Sequence, residues 1–149
     1  MAKNKDLESI LSMGCWDKTG NFAEKKALGL ITPHIPIIAE ESVEDLNIEG
    51  LNVEELEEFW LVDPLDGTRE FINKNGDFTV NIALIRGGKP CLGVIYPPTQ
   101  TLCYLALGPH EAVIQRDDGS LVPIQARPVN WDNPVVMVSR SHRVAETDA

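Results

Sequence analysis

The sequence lacks any apolar run that approaches the roughly 20 residues a membrane-spanning helix needs. No apolar stretch follows the opening residues Met1–Asp6, as one would in a signal peptide. We therefore expect no transmembrane segment and, by default, a cytoplasmic protein. Peripheral association with a membrane surface stays open.

Cysteine is also scarce. The three cysteines, Cys15, Cys91 and Cys103, are odd in number and show no CxxC spacing. This pattern favours buried or half-buried thiols in a reducing compartment over a disulfide framework. Cys103 alternates within a predicted strand, so we expect it to pack against its neighbours rather than to take part in redox chemistry.

Positive charge is in short supply, with 13 Lys and Arg against 23 Asp and Glu and a formal net charge of −10. A nucleic-acid polymer is therefore not an expected partner, because such a surface needs clustered Lys and Arg. Two explanations of the acidity remain open. Either the carboxylates hold cations that attract a phosphate-bearing substrate, or the charge only keeps the protein in solution.

What is present indicates one domain, spanning residues 1–149 and long enough to bury a core. The spacing of apolar residues predicts helices within residues 1–33, and a short surface helix is expected before Phe59. Short loops such as Gly87-Gly88 and the hairpin turn Asp117–Gly119 favour an antiparallel meander. The fold class we expect is α+β, with N-terminal helices packed on an antiparallel sheet. The predicted strands are Ile35–Ala39, Phe59–Val62, Phe78–Ile85, Cys91–Tyr96, Thr101–Leu107, Ala112–Gln115 and Pro134–Ser139.

The segment W-L-V-D-P-L-D-G-T carries the clearest chemical pattern. A buried strand leads to Asp63, Pro64 turns the chain, and Asp66 follows three residues later, so the two carboxylates can converge on one point. Gly67 permits a tight backbone approach, and Thr68 offers a hydroxyl at a possible helix start. Oxygen ligands of this kind suit Mg²⁺. The alternative is that Asp-Pro and Asp-Gly are ordinary turn formers.

Two additions favour the metal interpretation. The Glu40-Glu41 pair ends a predicted strand and could supply a third carboxylate, and Thr68 is followed by Arg69. With these features the chain resembles the inositol monophosphatase superfamily, which combines an E-E pair at a strand end with a W-x-x-D-P-[IL]-D-G-T motif. The resemblance is to its 3'(2'),5'-bisphosphate nucleotidase branch (CysQ-type) at Asp66–Ile72, Asn75–Ala83, Gly93–Pro97 and Ser139–His142.

The resemblance implies a site for more than one Mg²⁺ ion. Glu40 would bind the first metal and help to orient the attacking water, and the backbone carbonyl of Leu65 would complete that site. Asp63 would bridge the metals, and Asp66 would hold the second one. The cofactor implied is therefore Mg²⁺, which would activate a water molecule and stabilise the leaving oxygen.

The resemblance also implies how substrate is handled. Thr68 would position the water, and the amides of Gly67 and Thr68 would contact the phosphate. The implied reaction is hydrolysis of 3'-phosphoadenosine 5'-phosphate to AMP and phosphate. The residues implied in catalysis are Glu40, Asp63 and Thr68, and those implied in substrate binding are Glu40, Leu65, Asp66, Gly67 and Thr68.

The chain departs from the superfamily pattern in two places. An N-terminal K-x-D-x-S-P-V-T-x-A-D segment is matched only loosely, at Asp17–Glu24. A later W-D-x-x-A motif, whose aspartate binds the second metal, has no counterpart, because Trp131-Asp132 lies upstream of its expected place. We therefore expect an N-terminal fragment that carries the metal-binding half of the fold and is prone to self-association.

Two alternatives stay open. The first keeps the chemistry but changes the substrate to an inositol monophosphate or a sugar bisphosphate. The second is a catalytically inactive metal-binding fragment. The role of the Ser139–His142 run also stays open, between contact with the nucleotide and an exposed polar linker.

Overall fold

The structure is a computed structural model that describes Leu28 and residues 32–39, 55–135 and 137. Most of the predicted N-terminal helices and of the predicted helix before Phe59 lie outside these residues. Leu28 itself is helical and buried. Within the described part of the chain, no helix is long and apolar enough to cross a membrane.

The described residues form one seven-stranded sheet whose strands lie side by side in chain order. From β2 to β7 each strand runs antiparallel to the one before it. The predicted meander is therefore confirmed. The strands are β1 (Ile37–Ala39), β2 (Glu58–Asp66), β3 (Thr79–Arg86), β4 (Lys89–Tyr96), β5 (Leu102–Ala106), β6 (Ala112–Arg116) and β7 (Leu121–Ile124), and one helix, α1 (Thr68–Ile72), follows β2.

Two expectations about strands are wrong. β1 pairs with β2 in parallel, so the sheet is mixed rather than purely antiparallel. Eighteen or so residues separate these two strands, enough for the crossover that a parallel pair needs. The predicted final strand Pro134–Ser139 is also not formed at Pro134, Val135 and Met137, and its other residues lie outside the described part of the chain. Val135 and Met137 are 82% and 95% exposed, so the part of the chain that the structure describes offers them no surface on which a strand would pack.

The core lies against one face of the sheet. Val80, Ile82 and Leu84 alternate along β3 and are all buried, as the sequence alternation predicts. On β2, Trp60 lies opposite Leu84 and Val62 lies opposite Ile82, so these pairs share that face. The odd-numbered neighbours on β2 and β3 consequently point to the opposite face, and the candidate site lies there.

Trp60 connects this core to the segment before β1. Its side chain is 0% exposed, which agrees with the predicted buried strand that leads to Asp63. The indole Nε1–H donates to Thr32 Oγ1 at 2.9 Å, and the Thr32 hydroxyl donates to the Leu28 carbonyl at 3.0 Å. Both polar groups are thereby satisfied inside the core, as buried polar groups generally are.

Candidate metal centre

The two aspartates of the motif lie on one strand, and a β-bulge sets their direction. Asp63 lies opposite Asn81, whereas Asp66 lies opposite Thr79, with a register shift between the two pairs. Three steps along β2 therefore match two steps along β3. Successive side chains of a regular strand alternate between faces, so residues three apart would point to opposite sides. The extra residue in the bulge brings Asp63 and Asp66 to the same face.

Pro64 lies inside this bulge and does not end the strand, which corrects the expectation of a turn. Proline has no N–H for the ladder and is tolerated in strands mainly at edges and bulges. The last described pair between β1 and β2 is Ala39 with Val62, so Pro64 lies beyond it. The strand therefore continues through Pro64 to Asp66.

Local hydrogen bonds fix the bulge and the residues after it. The Leu65 N–H donates to Asp63 Oδ1 at 3.1 Å. The Thr68 hydroxyl donates to the Leu65 carbonyl at 3.3 Å. Asp63, Leu65 and Thr68 are therefore linked in one short chain of contacts, and the carbonyl of Leu65 keeps a second lone pair for another partner.

Gly67 makes the junction between β2 and α1. It has a left-handed backbone with φ of 91°, and it caps the helix that begins at Thr68. A Cβ atom on Gly67 would lie 3.0 Å from the Asp77 carbonyl oxygen and 3.3 Å from Phe78. The turn therefore needs glycine both for its conformation and for its close approach to residues 77–78. The predicted helix start at Thr68 is confirmed.

Asn81 on β3 contacts one of the two aspartates. Its Nδ2–H donates to Asp66 Oδ2 at 2.9 Å. Its Oδ1 is buried and has no hydrogen-bond partner among the residues that the structure describes. Asn81 was not among the predicted site residues. The signal was present, because asparagine is disfavoured in strand interiors and this one falls in the middle of a strong apolar alternation.

The donor set fits a hard cation. Asp63 and Asp66 each have one oxygen engaged in a hydrogen bond and the other without a protein partner in the described part of the chain. With the Leu65 carbonyl, they offer only oxygen ligands, which Mg²⁺ prefers. No cluster of three or more His, Cys, Asp or Glu occurs among the described residues. Glu40, the third predicted carboxylate, follows β1 directly but lies outside those residues, as do Glu41 and Ser139–His142.

Two histidines and one cysteine outside β2 differ in their surroundings. His34 and His110 are exposed. Burial raises the pKa of the Cys103 thiol from 9.0 to about 11. Its side chain packs against the core from β5. A thiol with a raised pKa is a poor nucleophile near neutral pH, which agrees with a packing role.

Comparison with known proteins points to one family. The sequence pattern of the inositol monophosphatase family matches residues 14–148. The 3'(2'),5'-bisphosphate nucleotidase CysQ of Buchnera aphidicola is 45% identical over 126 residues, and that of Escherichia coli (strain K12) is 42% identical over 119 residues. These matches cover 85% and 80% of the chain but 45% of each relative. The chain thus spans slightly less than half the length of these relatives.

Solved structures show the same fold. CysQ from Bacteroides thetaiotaomicron, described as a bacterial member of the inositol monophosphatase family, is 28% identical with a TM-score of 0.50, covering 97% of this chain and 62% of that one. The extragenic suppressor protein SuhB from Bartonella henselae is 32% identical with a TM-score of 0.53, covering 66% and 36%. An IMPase/NADP phosphatase complexed with Mg²⁺ and phosphate has a TM-score of 0.53 at 24% identity, covering 66% and 35%, a likeness of fold alone.

Proposed function

The chain belongs to the inositol monophosphatase family, and on that premise we propose that it supplies metal-binding carboxylates to a Mg²⁺-dependent phosphomonoesterase. The substrate we propose is 3'-phosphoadenosine 5'-phosphate, hydrolysed to AMP and phosphate. Relatives at 42–45% identity that carry the name 3'(2'),5'-bisphosphate nucleotidase support this choice over an inositol phosphate or a sugar bisphosphate.

One observation carries the proposal. The bulge in β2 turns Asp63 and Asp66 to the same face, where each keeps an oxygen without a protein partner among the described residues. A cation bound between two carboxylates on the same face stabilises both negative charges. We propose Asp63, Asp66, the Leu65 carbonyl and Glu40 as the metal ligands. Glu40 is included because it directly follows β1, the neighbour of β2 in the sheet.

Thr68 has a defined role in the proposed reaction. Its hydroxyl has one proton, and that proton is donated to the Leu65 carbonyl. Toward any further partner Thr68 Oγ1 can therefore only accept. A water beside it would donate one proton to Oγ1 and another to the Glu40 carboxylate, which leaves a lone pair directed at the phosphorus. Bound Mg²⁺ would lower the pKa of such a water and neutralise charge on the phosphate oxygens.

The remaining parts of the proposal concern binding and fold. The backbone amides of Gly67 and Thr68 would contact the phosphate. Helices from residues 1–33 would pack on the core face of the sheet, which Leu28 supports because it is helical and belongs to the same buried cluster as Trp60. A single domain over residues 1–149 and a cytoplasmic location stay predictions from the sequence.

The activity is tested by phosphate release. We would incubate this chain with 3'-phosphoadenosine 5'-phosphate and Mg²⁺, with inositol monophosphate as the competing substrate and Asp66→Asn as the matched variant. We expect release from the nucleotide, and a loss of at least about 100-fold in Asp66→Asn, the upper end of what a supporting residue around a metal costs. Faster phosphate release from inositol monophosphate than from the nucleotide would contradict the proposed substrate. Activity unchanged in Asp66→Asn would contradict the site.

Metal binding is tested separately by thermal unfolding. Mg²⁺ at 100 times its Kd should stabilise the folded chain by about 2.7 kcal/mol. We expect Asp63→Asn to abolish this stabilisation, because Asp63 would then lack the negative charge that holds the cation. Mg²⁺ binding through Asp63 and Asp66 without turnover would favour the alternative of an inactive metal-binding chain. That alternative is kept because the chain spans 45% of the length of its relatives.

A further inference from the structure

Asn81 is unusual both in its position on a strand and in its hydrogen bonding. It lies in the middle of β3, where asparagine is disfavoured and its neighbours Val80 and Ile82 are buried. Its Oδ1 is also buried without a hydrogen-bond partner in the described part of the chain. An unsatisfied buried acceptor costs about 1–3 kcal/mol. Asn81 is therefore not explained by the stability of the sheet, and such exceptions are expected at functional positions.

The one hydrogen bond of this side chain indicates what it does. The Asn81 Nδ2–H donates to Asp66 Oδ2 at 2.9 Å. Asp66 is largely exposed at the end of β2, so few packing contacts fix its rotamer. The amide occupies one carboxylate oxygen and leaves Oδ1 of Asp66 for another partner. Asn81 also lies opposite Asp63 in the register, so it shares a face with both aspartates.

We propose that Asn81 is a positioning residue that orients Asp66 for metal binding, an inference that rests on the proposed function. It acts through Asp66 and is not itself a ligand. Removal of the amide leaves the Asp66 carboxylate free to rotate. Metal binding must then restrict this rotation, which lowers the metal affinity. Partners that orient a metal ligand typically change metal affinity by about 10- to 100-fold when they are removed.

The test measures metal affinity and stability in the same variants. Mn²⁺ serves as the probe, because carboxylate and carbonyl ligands suit it as they suit Mg²⁺, and electron paramagnetic resonance of the free ion gives its Kd. Asn81→Leu has a similar size and removes both the donor and the unsatisfied acceptor. We expect its Mn²⁺ Kd to rise by about 10- to 100-fold. We expect the Tm of the metal-free protein to stay the same or to rise, since a buried unsatisfied acceptor is gone.

A double-mutant cycle tests whether the effect passes through Asp66. Asp66→Ala alone should weaken Mn²⁺ binding, and Asn81→Leu in that background should produce no further change. Asn73→Ala is the matched control, because it removes an exposed asparagine amide at the end of α1 with no contact to Asp66. Its Kd should equal that of the unmodified chain. If Asn81→Leu does not fold, Asn81→Ser replaces it with the same expected loss of affinity.

The outcomes separate this inference from the proposed function. A Kd in Asn81→Leu within twofold of the unmodified chain, while Asp66→Ala weakens binding, would overturn the role of Asn81 and leave the metal site standing. Additive effects in the cycle, or a fall in metal-free Tm with an unchanged Kd, would likewise overturn it. A Kd unchanged in Asp66→Ala would instead overturn the proposed metal site itself.

Discussion

Gly67 combines two constraints that only glycine satisfies together. Its φ of 91° lies in the left-handed region, and a Cβ atom there would approach the Asp77 carbonyl oxygen to 3.0 Å. The second constraint comes from backbone, which cannot move aside as a flexible side chain can. Because Thr68 begins α1 immediately after this turn, the conformation of Gly67 sets where the Thr68 hydroxyl lies relative to the Leu65 carbonyl.

We predict that Gly67→Ala lowers both stability and metal affinity. The left-handed conformation alone costs an L-residue about 1–2 kcal/mol, and the backbone contact adds to this. Gly87→Ala is the control, because Gly87 has φ of 56° but nothing within 4 Å of a Cβ. Urea unfolding should show a larger loss of the free energy of unfolding in Gly67→Ala than in Gly87→Ala. Equal losses would mean that the contact with residues 77–78 is unimportant.

Cys103 gives a prediction about pH. Burial raises the pKa of its thiol to about 11, so the folded state keeps the proton at pH values where the thiol of the unfolded chain, with its ordinary pKa of 9.0, ionises. The thiol therefore favours the folded state fully below pH 9, and this contribution falls as the pH rises toward 11. Tm should decline across this interval, and less steeply in Cys103→Val.

Tyr96 is a second half-buried acid with a raised pKa, which makes the comparison with Cys103→Val necessary. Burial, the nearby Cys103 and Asp117 all raise the pKa of the Tyr96 hydroxyl. The contribution of Tyr96 to the pH dependence is present in both the unmodified chain and Cys103→Val, apart from the influence of Cys103 on its pKa. A difference in slope between the two proteins therefore reports the thiol. Identical slopes from pH 8 to 11 would contradict a buried, protonated Cys103.

At the scale of elements, a buried polar contact joins the segment before β1 to β2. Thr32 accepts the indole N–H of Trp60 and donates to the Leu28 carbonyl, and all three residues are buried. Thr32→Val keeps the shape but leaves the indole N–H unpaired, so we predict a loss of about 1–3 kcal/mol in the free energy of unfolding. Thr32→Ser keeps the hydroxyl and should lose less. Equal losses in the two variants would show that packing, not the hydrogen bond, dominates.

The strands were predictable from sequence to the extent that their patterns are local. The alternation of Val80, Ile82 and Leu84 identified β3 and its buried face, because burial on one side of a sheet requires a period of two. The bulge was not predictable in the same way. Pro64 indicates a break in regular structure, but whether the chain turns or bulges depends on the strand opposite, which lies elsewhere in the sequence.

The candidate site was likewise predictable only where its sequence signal is local. The spacing of Asp63, Asp66 and Gly67 was enough to predict a pair of carboxylates before a glycine turn. Asn81 was missed because its importance arises from the register of β3 against β2, which joins residues 15 apart in the chain. Parallel pairing of β1 was missed for a similar reason. Local loop lengths favoured a meander, and the short helix predicted before Phe59 was not interpreted as the crossover that a parallel pair needs.

At the scale of the whole molecule, the face that carries the carboxylates is also partly apolar. Leu61 and Ile95 are 47% and 50% exposed. Leu61 lies opposite Ala83, and Ile95 lies opposite Asn81, so both share the face of the aspartates. An exposed apolar surface on a sheet favours association between molecules, whereas the net charge of −10 opposes it.

We predict that the chain self-associates at high protein concentration, and more strongly as salt screens its charge. Ile95→Lys should reduce the association measured by light scattering, because it places a charge in the apolar face. Leu121→Lys is the control: Leu121 is similarly exposed, at 49%, but lies on β7 at the edge of the sheet. A monodisperse monomer at all concentrations would contradict the prediction. An effect of Leu121→Lys alone would assign the association to the sheet edge.

The bulge has a consequence for how such motifs tolerate changes of length. Residues an even number of positions apart on a regular strand point to the same face, and residues an odd number apart point to opposite faces. The two aspartates of D-x-x-D are three positions apart. The extra residue of the bulge between Asp63 and Asp66 offsets this odd spacing, so both side chains point to the same face. Deleting one residue there, and with it the bulge, would give D-x-D, whose aspartates still emerge together. A substitution that keeps the spacing but removes the bulge would turn one carboxylate toward the core face of the sheet. A one-residue deletion that also removes the bulge is therefore less harmful to this pair than a substitution that straightens the strand.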